Sequence, residues 1–98
     1  MKILAIESEI DVTAWDSLDK MLEQEAQQVF QLYLSDSLRE IYFTESKSAV
    51  LILETKDRKE AERLLNNLPL VKYGKIKFDI MELKPCSGFE RIIKNASM

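Results

Sequence analysis

Two short segments, KILAIESE at residues 2–9 and AVLILET at residues 49–55, constrain this chain more than any other feature. Each carries apolar side chains at consecutive positions, so a strand running through it is greasy on both faces. Each is too short to persist as an isolated helix, and Ile3, Ile6, Val50 and Ile52 favour a pleated surface. Strands of this kind belong in the middle of a sheet that is covered on both sides.

The remaining segments fall into order around them. In residues 11–36, Trp15, Leu18, Leu22, Ala26, Val29 and Tyr33 are three or four apart, which makes one stripe of a long helix. Thr13 with Asp16 gives it an N-terminal capping signature, and Asp16, Asp19, Glu23 and Gln27 form its solvated face. SLREIYFT (37–44) mixes polar residues into a strand pattern, ESKS supplies a turn, and AVLILET returns, which is a hairpin. A second helix begins at the capping pair Asp57 and Glu60, aligns Ala61, Leu64, Leu65 and Leu68, and stops at Pro69. KIKFDIMELKP (75–85) alternates, with Ile76, Phe78 and Ile80 on one face.

The order is β-α-β-β-α-β, so the expected fold class is α+β: one ferredoxin-like domain over residues 1–98, with an antiparallel sheet of order 4-1-3-2. The doubly apolar strands 1 and 3 take the centre and the mixed strands 2 and 4 the edges. Two helices cover only one face of such a sheet, so the other needs a second cover. A partner subunit is the simplest one, with help from Phe89, Ile92 and Ile93 of the C-terminal tail. The connector Leu68-Pro69-Leu70-Val71 is unusually greasy for a surface turn. It reads as a segment packed against the sheet end or the partner, the seam of a dimer.

Composition excludes several function classes. Net charge is −3 with both signs interspersed, which leaves no field to gather phosphate backbones, so no nucleic acid partner is expected. No stretch approaches the roughly 18 apolar residues of a membrane span, and the opening residues carry acids and no small-residue cleavage site of the kind a signal peptide needs. Cys86 is the single cysteine, so a reducing, cytoplasmic setting is expected. The absence of histidine removes His-based triads, His-ligated haem and the usual His-rich metal sites. No cofactor and no metal are expected; catalysis would rest on carboxylates, Tyr, Lys, Arg or Cys.

For a hairpin turn of two or four residues, cross-strand partners sum to 93, which sets Ile41 opposite Ile52, Phe43 opposite Val50 and Arg39 opposite Glu54. Aligning strand 1 parallel to strand 3 puts Glu7 beside Glu54. A carboxylate at the lip of an apolar cavity then becomes a candidate base, with Arg39 orienting an anion. The plainer alternative is a cross-strand ion pair worth roughly 0.2–1 kcal/mol. Tyr42 falls on the other face, alongside Leu51 and Leu53, as a hydrogen-bond donor to a ligand or to the backbone. Trp15 either caps a pocket mouth or anchors the core.

LPLVKYGKIKFDIMELKP (68–85) combines Leu-Pro-Leu at a helix end, an aromatic, and an alternating strand ending in Leu-x-Pro. In this it resembles the C-terminal half of small muconolactone isomerase-like proteins of the dimeric α+β barrel superfamily, and the element order extends the likeness across nearly the whole chain. The resemblance implies a protomer whose sheet packs face to face with a partner's, and cofactor-independent isomerases, monooxygenases and haem enzymes are among the superfamily's members. REIYFTESKSAVLILE lacks the Trp-Arg and Ala-Asn pattern associated with the isomerase. The leading expectation is a homodimer that holds a small apolar or amphipathic ligand and acts as a cofactor-independent isomerase. In that reading Glu54 is the base, Arg39 the anion anchor and Tyr42 the donor, with Glu7 and Trp15 as ligand-binding residues. The alternative is a non-catalytic dimeric interaction module or a regulatory ligand-binding module.

Overall fold

A computed structural model describes residues 1–10 and 19–96. In chain order its elements are β1 (Lys2–Glu9), α1 (Asp19–Leu34), β2 (Leu38–Phe43), β3 (Ala49–Glu54), α2 (Arg58–Asn66), α3 (Pro69–Lys72), β4 (Ile76–Leu83) and α4 (Glu90–Ala96). The sheet runs β2-β3-β1-β4 with every neighbouring pair antiparallel, which is the expected ferredoxin-like order. The expected capping signature at Thr13 and Asp16, and Trp15 with Leu18 in the first helix stripe, lie outside the described residues.

Alternation divides the central strands as their sequence requires. Ile3 and Ala5 of β1 and Ala49, Leu51 and Leu53 of β3 are buried on the helix side, where they meet Leu38, Ala61, Leu65 and Leu68. Leu4, Ile6, Val50 and Ile52 point the other way and are only half-buried. They share that open face with Tyr42, Met81 and Leu83, which are exposed.

α2 is local chemistry followed closely. Asp57 caps it by accepting the Glu60 N–H at 2.8 Å, while the Glu60 side chain accepts the Lys56 N–H at 3.3 Å. Ala61 and Leu65 then go into the core. The helix ends at Asn66, before Pro69 is reached, and Pro69 occupies the first position of the short helix α3, where its missing N–H costs nothing. Leu68, Pro69 and Leu70 are buried, and α3 packs on α1. The greasy connector is therefore covered within the protomer and is not the subunit seam that its composition suggested. Tyr73, just beyond it, is exposed.

Two expected registers are corrected. β1 runs antiparallel to β3, pairing Lys2 with Glu54 and Ile6 with Val50, so Glu7 and Glu54 sit at opposite ends of the sheet. A split β-α-β unit with a hairpin after it cannot do otherwise, because β3 must reverse the direction that β1 and β2 share. In the hairpin, Phe43 pairs with Ala49 and Ile41 with Leu51, one position away from the expected sum. The cause is the turn: Lys47 donates its N–H to Thr44 at 2.9 Å and adopts φ 67°, while Thr44 and Ser48 close the ladder. That leaves three residues in the loop, an odd number, and an odd loop shifts the pairing by one. Ile41 and Phe43 consequently face the helix side, and Tyr42 faces the open side with Val50 and Ile52. A bulge between Leu38 and Glu40 sets Arg39 out of the ladder.

Leu53 is fully buried at the centre of the core cluster. Leu53→Ala is expected to lower unfolding stability by about 2–5 kcal/mol in urea titration, whereas Leu83→Ala on the exposed end of β4 is expected to change it far less.

Candidate functional site

α1 is amphipathic, yet none of its described residues is buried. Val29 and Leu32 pack partly against the core, but Leu22, Phe30 and Tyr33 stay exposed because the helix stands off the sheet and encloses space. That space is a cavity of about 540 Å³, open on one side. Val29 and Phe30 of α1, Ile41 and Phe43 of β2, and Leu51 and Phe78 from the sheet are among the side chains that line it. Such a volume is within the range of small-molecule sites.

Three charged residues reach this apolar wall: Glu7, Glu25 and Lys47. Glu7 follows the last paired residue of β1 toward β3, and its Oε1 accepts the Ala49 N–H at 3.2 Å. Glu25 comes from the middle of α1, and its Oε1 accepts the Leu70 N–H at 3.0 Å. This N–H belongs to the first turn of α3, whose N-cap Leu68 has no side-chain oxygen to offer, so Glu25 supplies the cap from another helix. For each carboxylate the second oxygen has no hydrogen-bond partner among the described residues. Both pairs of oxygens thus have acceptor capacity left over toward the cavity.

Burial in the apolar wall pushes the Glu25 pKa above the ordinary glutamate value; the Leu70 N–H opposes this and the neighbouring Glu7 charge adds to it. Burial first, and the nearby Glu7 charge after it, make Glu25 hold a proton more readily than an exposed glutamate does. The arrangement is suited to moving a proton between two positions of a bound molecule, and equally to holding a hydroxyl or an amine.

The residues singled out from the sequence divide between two places. Glu7 lines the cavity. Arg39 and Glu54 share a shallower depression of about 410 Å³ on the open face with Lys2, Glu40 and Ile52. There Glu54 lies 3.6 Å from the Met1 ammonium, and Arg39 donates its Nε–H to the Asp36 carbonyl at 2.8 Å. Tyr42 is exposed on the same face and donates its hydroxyl to Glu40 Oε1 at 2.7 Å, a bond to a carboxylate that raises the tyrosine pKa. The structure does not bring these residues to the cavity, and Trp15 lies outside the described residues. Glu25 escaped the sequence reading, although it sits three residues after Leu22 and four before Val29, inside the apolar stripe. A carboxylate in that stripe is the signal that could have found it. Among the described residues no group of three His, Cys, Asp or Glu side chains is placed to hold a metal.

No protein-family model matches this chain, and no curated protein matches it in sequence. Solved structures do match. Muconolactone isomerase superposes with a TM-score of 0.67 at 14% identity over 89% of this chain and 94% of its own. The chain has a muconolactone isomerase-like α+β fold. 5-Chloro-2-hydroxyhydroquinone dehydrochlorinase from Burkholderia phenoliruptrix, solved with 2,5-dihydroxybenzoquinone, gives 0.59 at 17% identity over 90% of this chain and 98% of its own. An antibiotic biosynthesis monooxygenase gives 0.52 at 15% identity over 87% of this chain and all of its own. At these identities the likeness is one of fold.

The Glu25 shift has a definite sign. A carboxyl whose folded pKa is raised binds its proton more tightly in the native state, so its contribution to stability is present at low pH and is lost as pH rises through the raised value. Stability of the wild type is expected to fall relative to Glu25→Gln as pH rises from the ordinary glutamate range. In an NMR titration the Glu25 carboxyl should titrate above the ordinary glutamate value, and Glu7→Gln should move it down.

Proposed function

We propose that this protein binds a small, largely apolar molecule between α1 and the sheet and isomerises it by cofactor-independent proton transfer between Glu7 and Glu25. One observation carries the reading: two carboxylates from different elements meet in the wall of an apolar cavity, and one has a raised pKa. In the reaction, the Glu7 carboxylate takes the α-proton of a β,γ-unsaturated carbonyl ligand, and the Glu25 carboxyl delivers its proton to the γ-carbon of the resulting dienolate, so the double bond moves into conjugation; proton exchange with water then returns Glu7 to the carboxylate and Glu25 to the acid. The likeness to muconolactone isomerase and to the quinone-bound dehydrochlorinase supports an oxygenated ring or lactone as the ligand.

Incubation with muconolactone in deuterium oxide, followed by NMR, tests the chemistry. Deuterium is expected to enter next to the carbonyl, and Glu7→Gln or Glu25→Gln should each slow exchange by about 10²-fold or more. Ala26→Trp, which fills the cavity, should abolish binding without unfolding the protein. Unchanged exchange in both glutamine variants would remove the reading.

A second reading keeps the chemistry on the open face, with Glu54 as base, Arg39 as anion anchor and Tyr42 as donor. Its support is that Arg39 and Glu54 share one depression. Glu54→Gln and Arg39→Ala, measured on the same ligand, separate the two: under the cavity reading they leave binding and exchange unchanged.

The open face itself we assign to self-association. Leu4, Ile6, Val50 and Ile52 form an apolar patch that α1 and α2 cannot reach from the other side of the sheet. A sheet-to-sheet homodimer would bury this patch. Sedimentation is expected to give a dimer, and Ile52→Asp a monomer.

A further inference from the structure

We propose that Lys47 is the oxyanion site of the cavity: its ammonium receives the negative oxygen of a ligand whose neighbouring carbon lies against Glu7. The ligand class is then a ring that carries an ionisable enol or phenol oxygen, or a carbonyl that becomes one, on an otherwise apolar body. The inference rests on the cavity reading and supplies a group which that reading still needs. When Glu7 takes the α-proton, the electron pair of the C–H bond passes into the dienolate, and the negative charge moves from the carboxylate to the ligand oxygen. An apolar wall holds such a charge only where a donor or a cation is already placed to meet it. Glu7 and Glu25 cannot serve, because one is receiving a proton and the other must deliver its own to the γ-carbon. Among the described residues Lys47 is the one cation on the lining, and the Tyr33 hydroxyl is the one further side-chain donor there.

Two observations put Lys47 in that role. The first is position. Lys47 ends the β2–β3 loop two residues before Ala49, whose N–H holds the Glu7 carboxylate at 3.2 Å. Two residues span at most about 7 Å, so cation and base come to the cavity from the same end. An α-carbon and its carbonyl oxygen are separated by a single atom and need base and cation to be such neighbours. Lys47 is nevertheless not spent on Glu7: among the described residues its ammonium has no ion-pair or hydrogen-bond partner. The second observation is strain. At φ 67° Lys47 stands in the left-handed region, where a three-residue hairpin loop ordinarily carries glycine. The turn itself thus gives no reason for a lysine, and the cavity beside it gives one.

4-Nitrophenol, whose phenolate is yellow and whose phenol is not, tests the site without turnover. Titrated with the full chain in excess, it is expected to ionise at lower pH on the wild type than on Lys47→Met, by about one pH unit or more, a tenfold preference for the anion. Lys47→Arg should keep most of this shift. Lys47→Gly should lose it while its melting temperature stays at or above the wild-type value, because glycine relieves the turn; that separates a lost charge from a damaged fold. With saturating muconolactone, Lys47→Met should slow deuterium exchange by about 10²-fold. Equal ionisation on wild type and Lys47→Met, no bound nitrophenol, or a shift that is lost in Tyr33→Phe and kept in Lys47→Met overturns the oxyanion site. If Glu7→Gln and Glu25→Gln still stop exchange in that case, the isomerase reading stands without it. If the wild type shifts the phenol through Lys47 but exchanges no deuterium, the oxyanion site stands and the isomerase reading falls.

Discussion

A sheet that is apolar on both faces but clothed by its own chain on one is the constraint from which the rest of this structure follows. Ile3, Ala5, Leu51 and Leu53 can be buried by a helix layer, and α2 buries them together with Ala61, Leu65 and Leu68. Leu4, Ile6, Val50 and Ile52 cannot be buried by that same layer, because strand alternation sends them to the opposite side. Among the described residues no element is packed over them, and α4 makes no substantial contact with any other element. α1 and α2 lie on the same face, where Ala61 and Leu65 of α2 close the core and Val29 and Leu32 of α1 pack only partly against it. α1 is left to enclose space, which is why its stripe is apolar and yet remains exposed.

Element order, strand centrality and the Asp57 cap were legible in the sequence because each rests on a local rule: period, burial on both faces, a capping pair. Register was not legible to the same degree. It depended on the number of residues in the hairpin loop, and nothing in ESKS declares that Lys47 will adopt φ 67° and make the loop odd. The same slip moved Tyr42 to the open face and Ile41 and Phe43 to the cavity. The relative direction of β1 and β3 followed from topology alone, and a parallel alignment of two similar-looking segments overrode it. That single step brought Glu7 to Glu54, where the fold forbids it.

The candidate site was partly legible for a related reason. Glu7 was conspicuous as an acid at the end of an apolar strand. Glu25 was hidden because its partner, the Leu70 N–H, belongs to a helical turn distant in sequence, and backbone donors leave no mark in a residue pattern. The greasy connector is the other half of the same contact. Pro69 starts α3, Leu70 is buried beside α1, and the orphan N–H that this creates is met by Glu25. What looked like an unexplained apolar turn and what looked like an unremarkable glutamate form one interaction between α1 and α3.

That interaction also ties the cavity to the stability of its wall. Glu25 caps α3 best as a carboxylate, since a charged acceptor at a helix N-terminus is the stronger one. Burial beside Glu7 favours the same group as a neutral acid. The two demands oppose each other in one side chain, so the proton position on Glu25 and the docking of α3 on α1 are coupled through a single hydrogen bond to the Leu70 N–H.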